Sequence, residues 1–227
     1  LKGHWPGALN VPLFTDQERA TIGKTYKDNG KYKAILLGLK LTRSNILRTK
    51  NLLECIKEES LNEEKKQLRI YCWRGGMRSS SIAWLAEIIG FQPLILRGGY
   101  KTYRNWVLQQ FEKKWPLQLL GGKTGTGKTD LLIELSKRGV FVIDLEGLAN
   151  HRGSSFGGLG LPEQPSTEQY ENYISEALNL FQHGEYKSIL LEAESSNLGK
   201  CRIPFELTKQ MKYAPIIEII RTKEERL

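Results

Sequence analysis

Cysteine is scarce in this chain. Cys55, Cys72 and Cys201 are the whole complement among 227 residues, and no two of them form a C-x-x-C pair. So odd and dispersed a set excludes a disulfide framework and a structural zinc site, and no metal centre is expected. It suits a reducing compartment, so a cytoplasmic location is expected. Long hydrophobic runs are missing as well. No apolar stretch approaches the roughly 18 residues that a membrane span needs, and none reads as a signal segment, so no membrane partner is expected. Acidic residues are in deficit, 25 against 34 Lys and Arg, which leaves a net charge of +9 and a pI near 9.4. That balance favours a polyanionic partner such as RNA or DNA, against the plainer alternative of a solvated basic face. No internal repeat is visible. The chain opens on Leu1 instead of Met and closes on Thr222-Lys223-Glu224-Glu225-Arg226-Leu227, which reads as the start of a helix; an internal fragment is expected.

What is present describes a globular protein of one large or two ordinary domains, with 40% hydrophobic and 26% charged residues. Thr15-Asp16 can cap a helix that Asn29-Gly30 ends, and a second helix is expected from about Asn45 to Glu59. Leu68 to Cys72 reads as a strand ending at the cysteine, Ser79 to Ile89 as a helix, Pro93 to Leu96 as a strand and Tyr100 to Phe111 as a helix. Lys113-Lys114-Trp115-Pro116 is the best boundary, because polar residues and a proline follow a complete helix. A second strand–helix series follows: Leu117 to Leu120, Thr129 to Arg138, and Val140 to Ile143. After a Gly-, Ser- and Pro-rich loop at Asn150 to Pro165, expected to be mobile, come a helix from Ser166 to Gln182 and buried strands at Ser188 to Leu191 and Pro215 to Ile220. The alternation implies an α/β protein with parallel sheets in two domains, residues 1–114 and 115–227.

Two phosphate-sized backbone cradles carry the chemistry. The first is Cys72-Trp73-Arg74-Gly75-Gly76-Met77-Arg78-Ser79, a cysteine at a strand's end followed by a glycine turn and a helix start. Inward-pointing amides, the helix dipole and the charges of Arg74 and Arg78 all favour thiolate over thiol, which makes Cys72 the candidate nucleophile. Gly75 and Gly76 let the backbone wrap closely, and Met77 completes the anion-binding turn. The spacing C-x-x-x-x-x-R-S is also that of a cysteine-phosphatase cradle, although the loop holds no acid for a leaving group. The alternative for a lone cysteine is a small buried hydrophobe, and that reading suits Cys55 and Cys201.

The second cradle, Gly122-Lys123-Thr124-Gly125-Thr126-Gly127-Lys128-Thr129, satisfies G-x-x-x-x-G-K-[ST] between an apolar strand and a helix. That context predicts a phosphate loop, with Lys128 on phosphate oxygens and Thr129 toward a magnesium ion. Candidate acids at strand ends are Asp144, Glu192 and Glu194, each of which could instead simply face solvent. His151 and Arg152 in the glycine-rich loop, and Lys101 and Arg104 between the aromatics Tyr100, Tyr103 and Trp106, are candidate phosphate or RNA contacts. A core-facing stripe is the alternative for Tyr103 and Trp106.

With Gly3-His4-Trp5-Pro6-Gly7-Ala8-Leu9-Asn10-Val11-Pro12 before the cysteine segment, the first half resembles the rhodanese family, whose first strand would precede Leu1. The two halves together resemble the tRNA 2-selenouridine synthases. Further segments that carry this likeness are Gly98-Gly99-Tyr100-Lys101-Thr102-Tyr103-Arg104, Asp144 to Ser154, Gln164-Pro165-Ser166 and Leu191-Glu192-Ala193-Glu194-Ser195. The resemblance implies a rhodanese-like domain followed by a P-loop NTPase-like domain, both truncated at the chain ends. It implies a selenotransferase that replaces the sulfur of wobble 2-thiouridine in tRNA with selenium from selenophosphate, through an S-geranylated intermediate made from geranyl diphosphate. Cys72 would then accept or orient selenium, and the glycine loop would hold the diphosphate. No tightly bound cofactor is implied beyond these co-substrates and Mg2+, and a selenophosphate-supplying protein is an expected partner. The competing readings are a sulfurtransferase or cysteine phosphatase fused to a kinase-like P-loop domain, and a tRNA-binding protein without turnover.

Overall fold

The computed structural model describes residues 2–59, 66–123, 125–152, 157–193 and 195–224. They pack as two compact units, Gly7–Thr102 and Leu1–Pro6 with Tyr103–Leu227. The division falls within a helix, α4 (Gly99–Glu112), and the first six residues group with the later part of the chain.

The unit Gly7–Thr102 begins with α1 (Asp16–Asn29), whose start is a capping box. The Thr15 hydroxyl accepts from the Glu18 amide at 3.2 Å, and the Glu18 carboxylate accepts from the Thr15 amide at 2.8 Å. Gly30, at φ +86°, ends it. Helix α2 (Lys31–Glu59) starts well ahead of the expected Asn45. The run Ala34 to Leu41 lacks clean periodicity around Gly38, yet it is helical because Ala34 and later Leu53 are buried by tertiary packing. Strands β1 (Lys66–Ile70) and β2 (Phe91–Ile95) pair in parallel, Leu68 opposite Pro93, with α3 (Met77–Ile89) crossing between them. Leu53, Ala86 and Phe91 form the core, with Ile56, Leu68, Ile70, Leu85 and Ile89 packed on it. Strand, turn and helix thereby bring Cys72 to the carboxyl end of β1.

The other unit is a parallel sheet in the order β4-β5-β3-β8: β3 (Leu117–Gly122), β4 (Val142–Ile143), β5 (Ile189–Glu192) and β8 (Ile216–Ile219). Leu117, Leu119 and Leu120 are buried because β3 is central, with β5 and β8 on its two sides. Strand β8 was expected to be buried, but it lies at the sheet edge, and Ile216 and Ile217 are exposed. Four more helices belong here: α5 (Lys128–Lys137), the short α6 (Leu145–Leu148), α7 (Thr167–His183) and α8 (Phe205–Met211). A small antiparallel pair joins β6 (Asn197–Leu198) to β7 (Cys201–Arg202). Leu120, Leu132 and Leu190 make the core beneath the glycine loop. Helix α7 buries Tyr170, Ile174, Leu178 and Phe181, a stripe at i, i+4, i+8 and i+11, against the unit's interior. The N-terminal segment is tied to the same helix. The His4 amide donates to Gln169 Oε1 at 2.8 Å, Asn172 Nδ2 donates to the His4 carbonyl at 3.0 Å, and Trp5 stacks on Tyr103 with ring centroids 4.6 Å apart. No described helix is long and apolar enough to cross a membrane.

Candidate functional site

The cysteine loop is closed by backbone packed on backbone. Gly75 and Gly99 both have positive φ, +63° and +64°. A Cβ on Gly75 would meet the Leu96 carbonyl at 2.7 Å and the Gly99 amide at 2.8 Å; one on Gly99 would strike the Cys72 carbonyl and the Gly75 amide. Only glycine fits at either place. The amides of Tyr100 and Lys101, at the start of α4, donate to the carbonyls of Cys72 and Trp73 at 2.9 and 3.1 Å. With its carbonyls turned to α4, the loop's amides face the sulfur: the Gly76 N–H donates to Cys72 Sγ at 3.4 Å. The buried Ser79 hydroxyl lies 3.4 Å from the same sulfur and 2.8 Å from the Gly76 carbonyl.

These contacts set the thiol's acidity. Burial pushes it up, but the Ser79 hydroxyl and the backbone amides of Gly76, Ser79 and Arg74 outweigh burial and bring the Cys72 pKa down to about 7 from an ordinary 9.0. The sulfur therefore ionises more readily than an ordinary thiol. Arg74 and Arg78 are exposed, so their charges are offered to a ligand in solvent and not buried against the sulfur. Met77 is exposed at the head of α3. Cys201 is the opposite case, its thiol raised by burial, and Cys55 is exposed on α2.

The glycine loop is braced by side chains. Thr126 donates through its amide and its hydroxyl to the Lys123 carbonyl, at 3.2 and 2.7 Å. Gly122, Gly125 and Gly127 all have positive φ, and Gly127 caps α5 in the left-handed region. Lys128 Nζ donates to the Gly122 carbonyl at 3.1 Å and lies 3.7 Å from Glu192 Oε1. Glu192 is buried at the end of β5, directly beside Leu120 of β3, so sheet register delivers this carboxylate to the loop. Lys123, Gly125 and Thr129 are exposed. Thr124 and Glu194 lie outside the described residues.

The remaining candidates take other places. Asp144 caps α6, accepting from the Gly147 amide at 2.8 Å. His151 is buried, its ring between Gly157 and Gly199, while Arg152 is exposed. The surrounding loop is anchored and not loose in its described part: Gln164 Nε2 donates to the carbonyls of Ala149 and Leu198, both at 2.9 Å. Arg104 forms an ion pair with Glu171 and donates to Asn172 Oδ1 at 3.0 Å, and so ties α4 to α7. Tyr100 and Tyr103 are buried, which removes their faces from base stacking; Lys101 stays exposed. Sequence reasoning missed two working residues. Ser79 lay inside the motif without a role, and Gly99 is distant in sequence from the loop it closes. Among the described residues no cluster of His, Cys, Asp or Glu could hold a metal ion.

A sequence profile for the tRNA 2-selenouridine synthase AAA domain matches residues 115–227, the stretch that contains the glycine loop. Proteins named tRNA 2-selenouridine synthase from Hahella chejuensis and Marinobacter nauticus align with 100% of this chain, at 39% and 36% identity. The chain belongs to the tRNA 2-selenouridine synthase family. It covers 58% and 60% of those two proteins, so it spans about three fifths of the curated relatives it matches. A relative of the same name from a Sulfurovum species is 36% identical over 100% of this chain and 60% of its own length. One solved structure, an N-terminal domain from Clostridium difficile 630, shares 39% identity and covers 47% of this chain and 79% of its own, with a TM-score of 0.41.

Proposed function

We propose that this chain contains the reaction centres of a tRNA 2-selenouridine synthase, acting in the cytoplasm on tRNA with 2-thiouridine at the wobble position. The observation that carries the proposal is the sulfur of Cys72, which has a pKa of about 7 inside a turn of inward amides. A structural thiol has no need of that environment. In this reading Gly7–Thr102 belongs to a rhodanese-like domain and residues 115–227 form a P-loop NTPase-like domain.

The glycine loop holds the diphosphate of geranyl diphosphate, with the loop amides and Lys128 on its oxygens. Thr129 and Glu192 are oxygen donors of the kind Mg2+ takes, and a bound ion would neutralise diphosphate charge. The 2-thio sulfur attacks the first carbon of the geranyl chain, the carbon–oxygen bond breaks, and pyrophosphate leaves with the electron pair. At the other centre Arg74, Arg78 and the loop amides hold the phosphate portion of selenophosphate, delivered from solution or by a supplier protein, and Cys72 orients its selenium. Selenium bonds to C2 as the C2–sulfur bond breaks and geranyl thiolate departs. Water then cleaves the phosphorus–selenium bond, phosphate leaves, and the pair remains on selenium. S-alkylation makes this exchange feasible because it turns a poor leaving group into a thiolate. The exposed cations Lys101 and Arg152, with the surplus of positive charge, supply phosphate contacts for the tRNA.

The test uses the full-length protein with thiolated tRNA, geranyl diphosphate and selenophosphate, the nucleosides being read by mass spectrometry. Cys72→Ala should halt at the geranylated nucleoside, and Lys128→Ala should leave 2-thiouridine unchanged. Selenouridine formed at the normal rate by the Cys72 variant would overturn the role of Cys72. Normal geranylation by the Lys128 variant would overturn the diphosphate assignment.

A further inference from the structure

The glycine loop has a basic neighbour that no loop motif contains. Strand β8 runs parallel to β3, with Gly122 opposite Ile219, so both strands end at the same edge of the sheet. Two residues beyond Ile219 stands Arg221. Its guanidinium reaches back to the loop: a Cβ built on Gly127 would lie 3.8 Å from Nη2 and 4.0 Å from Cζ. Gly127 is the residue that caps α5, and Lys128 follows it.

The two cations at this point are held differently. Lys128 is paired with buried Glu192 and with the Gly122 carbonyl. Arg221 has no carboxylate partner among the described residues, and it is exposed. A guanidinium left unpaired beside a glycine-lined turn of amides has the planar fork that grips two phosphate oxygens at once.

We infer that Arg221 is a second cationic side chain on the bound diphosphate, beside Lys128, supplied from the segment that follows β8 in the same chain. Its place is on the oxygens that gain charge when pyrophosphate leaves. This rests on the reading of the glycine loop as a diphosphate site.

The experiment titrates inorganic pyrophosphate with Mg2+ into wild-type protein and into Arg221→Ala, Arg221→Lys, Arg221→Gln and Lys128→Ala by calorimetry. Arg221→Ala and Arg221→Gln should bind about tenfold to a hundredfold more weakly, with Arg221→Lys between them and wild type. Phenylglyoxal modification of Arg221 in the wild-type protein, read by peptide mass spectrometry, should be slowed by pyrophosphate; this arm needs no variant. Wild-type affinity in the Ala and Gln variants, with binding lost in Lys128→Ala, would overturn the role of Arg221 and leave the loop reading intact. Unchanged affinity in Lys128→Ala as well would overturn both. Arg221 modified at the same rate with and without pyrophosphate would also overturn its role.

Discussion

The cysteine loop and the glycine loop are both glycine-rich turns between a strand and a helix, yet they are held in shape by different means. In the first, main chain braces main chain: Gly75 and Gly99 touch where no side chain fits, and the start of α4 caps the loop's carbonyls. In the second, side chains brace main chain: Thr126 holds the Lys123 carbonyl, while Lys128 holds that of Gly122 and sits beside Glu192. The cysteine loop surrounds a sulfur covalently its own, with the Gly76 amide and the Ser79 hydroxyl each 3.4 Å away. In the glycine loop the charge beside the turn is on the Lys128 side chain, paired with buried Glu192. Main chain fixes the surroundings of the thiol, and side chains fix those of the lysine.

The strongest way to break this contrast is Gly99→Ala. The new methyl would overlap the Cys72 carbonyl at a positive φ, so unfolding should be easier by about 2–4 kcal/mol in denaturant titration. The reactivity of Cys72 toward iodoacetamide at neutral pH should fall with it. A Gly99→Ala protein with wild-type stability and reactivity would show that the main-chain brace is dispensable.

Ser79→Ala sharpens the comparison at the sulfur. Losing the hydroxyl 3.4 Å away should raise the Cys72 pKa by about one unit, read from the pH dependence of alkylation. A related effect appears in stability. The thiol's folded pKa of about 7 lies below its ordinary 9.0, so the unfolded chain holds the extra proton between those values. Stability should therefore rise with pH from about 7 to 9.0, and this contribution is lost as pH falls through 7. Cys72→Ser should flatten that rise.

The smallest effect is expected at Asp144, the candidate acid that caps α6. Asp144→Ala should cost about 1 kcal/mol, the worth of an N-cap, and leave pyrophosphate affinity unchanged. A large loss of affinity would return Asp144 to the phosphate site and weaken the case for Glu192.

Much of this was legible in the residues. Local rules place α1, α7 and the strand–loop–helix frames of both cradles, because capping residues, i, i+4 stripes and glycine turns act over a few positions. The early start of α2 was not legible, since burial of Ala34 decides it and no periodic pattern announces it. Nor could the three candidate acids be ranked. Asp144 and Glu192 both end apolar strands, and only the parallel register of β5 beside β3 shows which carboxylate reaches Lys128. The ion pair of Arg104 was equally hidden, because its partner Glu171 is on a different helix, far along the chain.

By itself the order of residues determined where amides, thiol and lysine stand along two loops, because those geometries are local and glycine-controlled. Tertiary structure alone decided which distant groups complete them. Gly99 against Cys72, Glu192 against Lys128 and Arg221 against Gly127 each join segments brought together by strand pairing and helix packing. Contacts of that kind depend on sheet order and register, and neither is written in any short stretch of sequence.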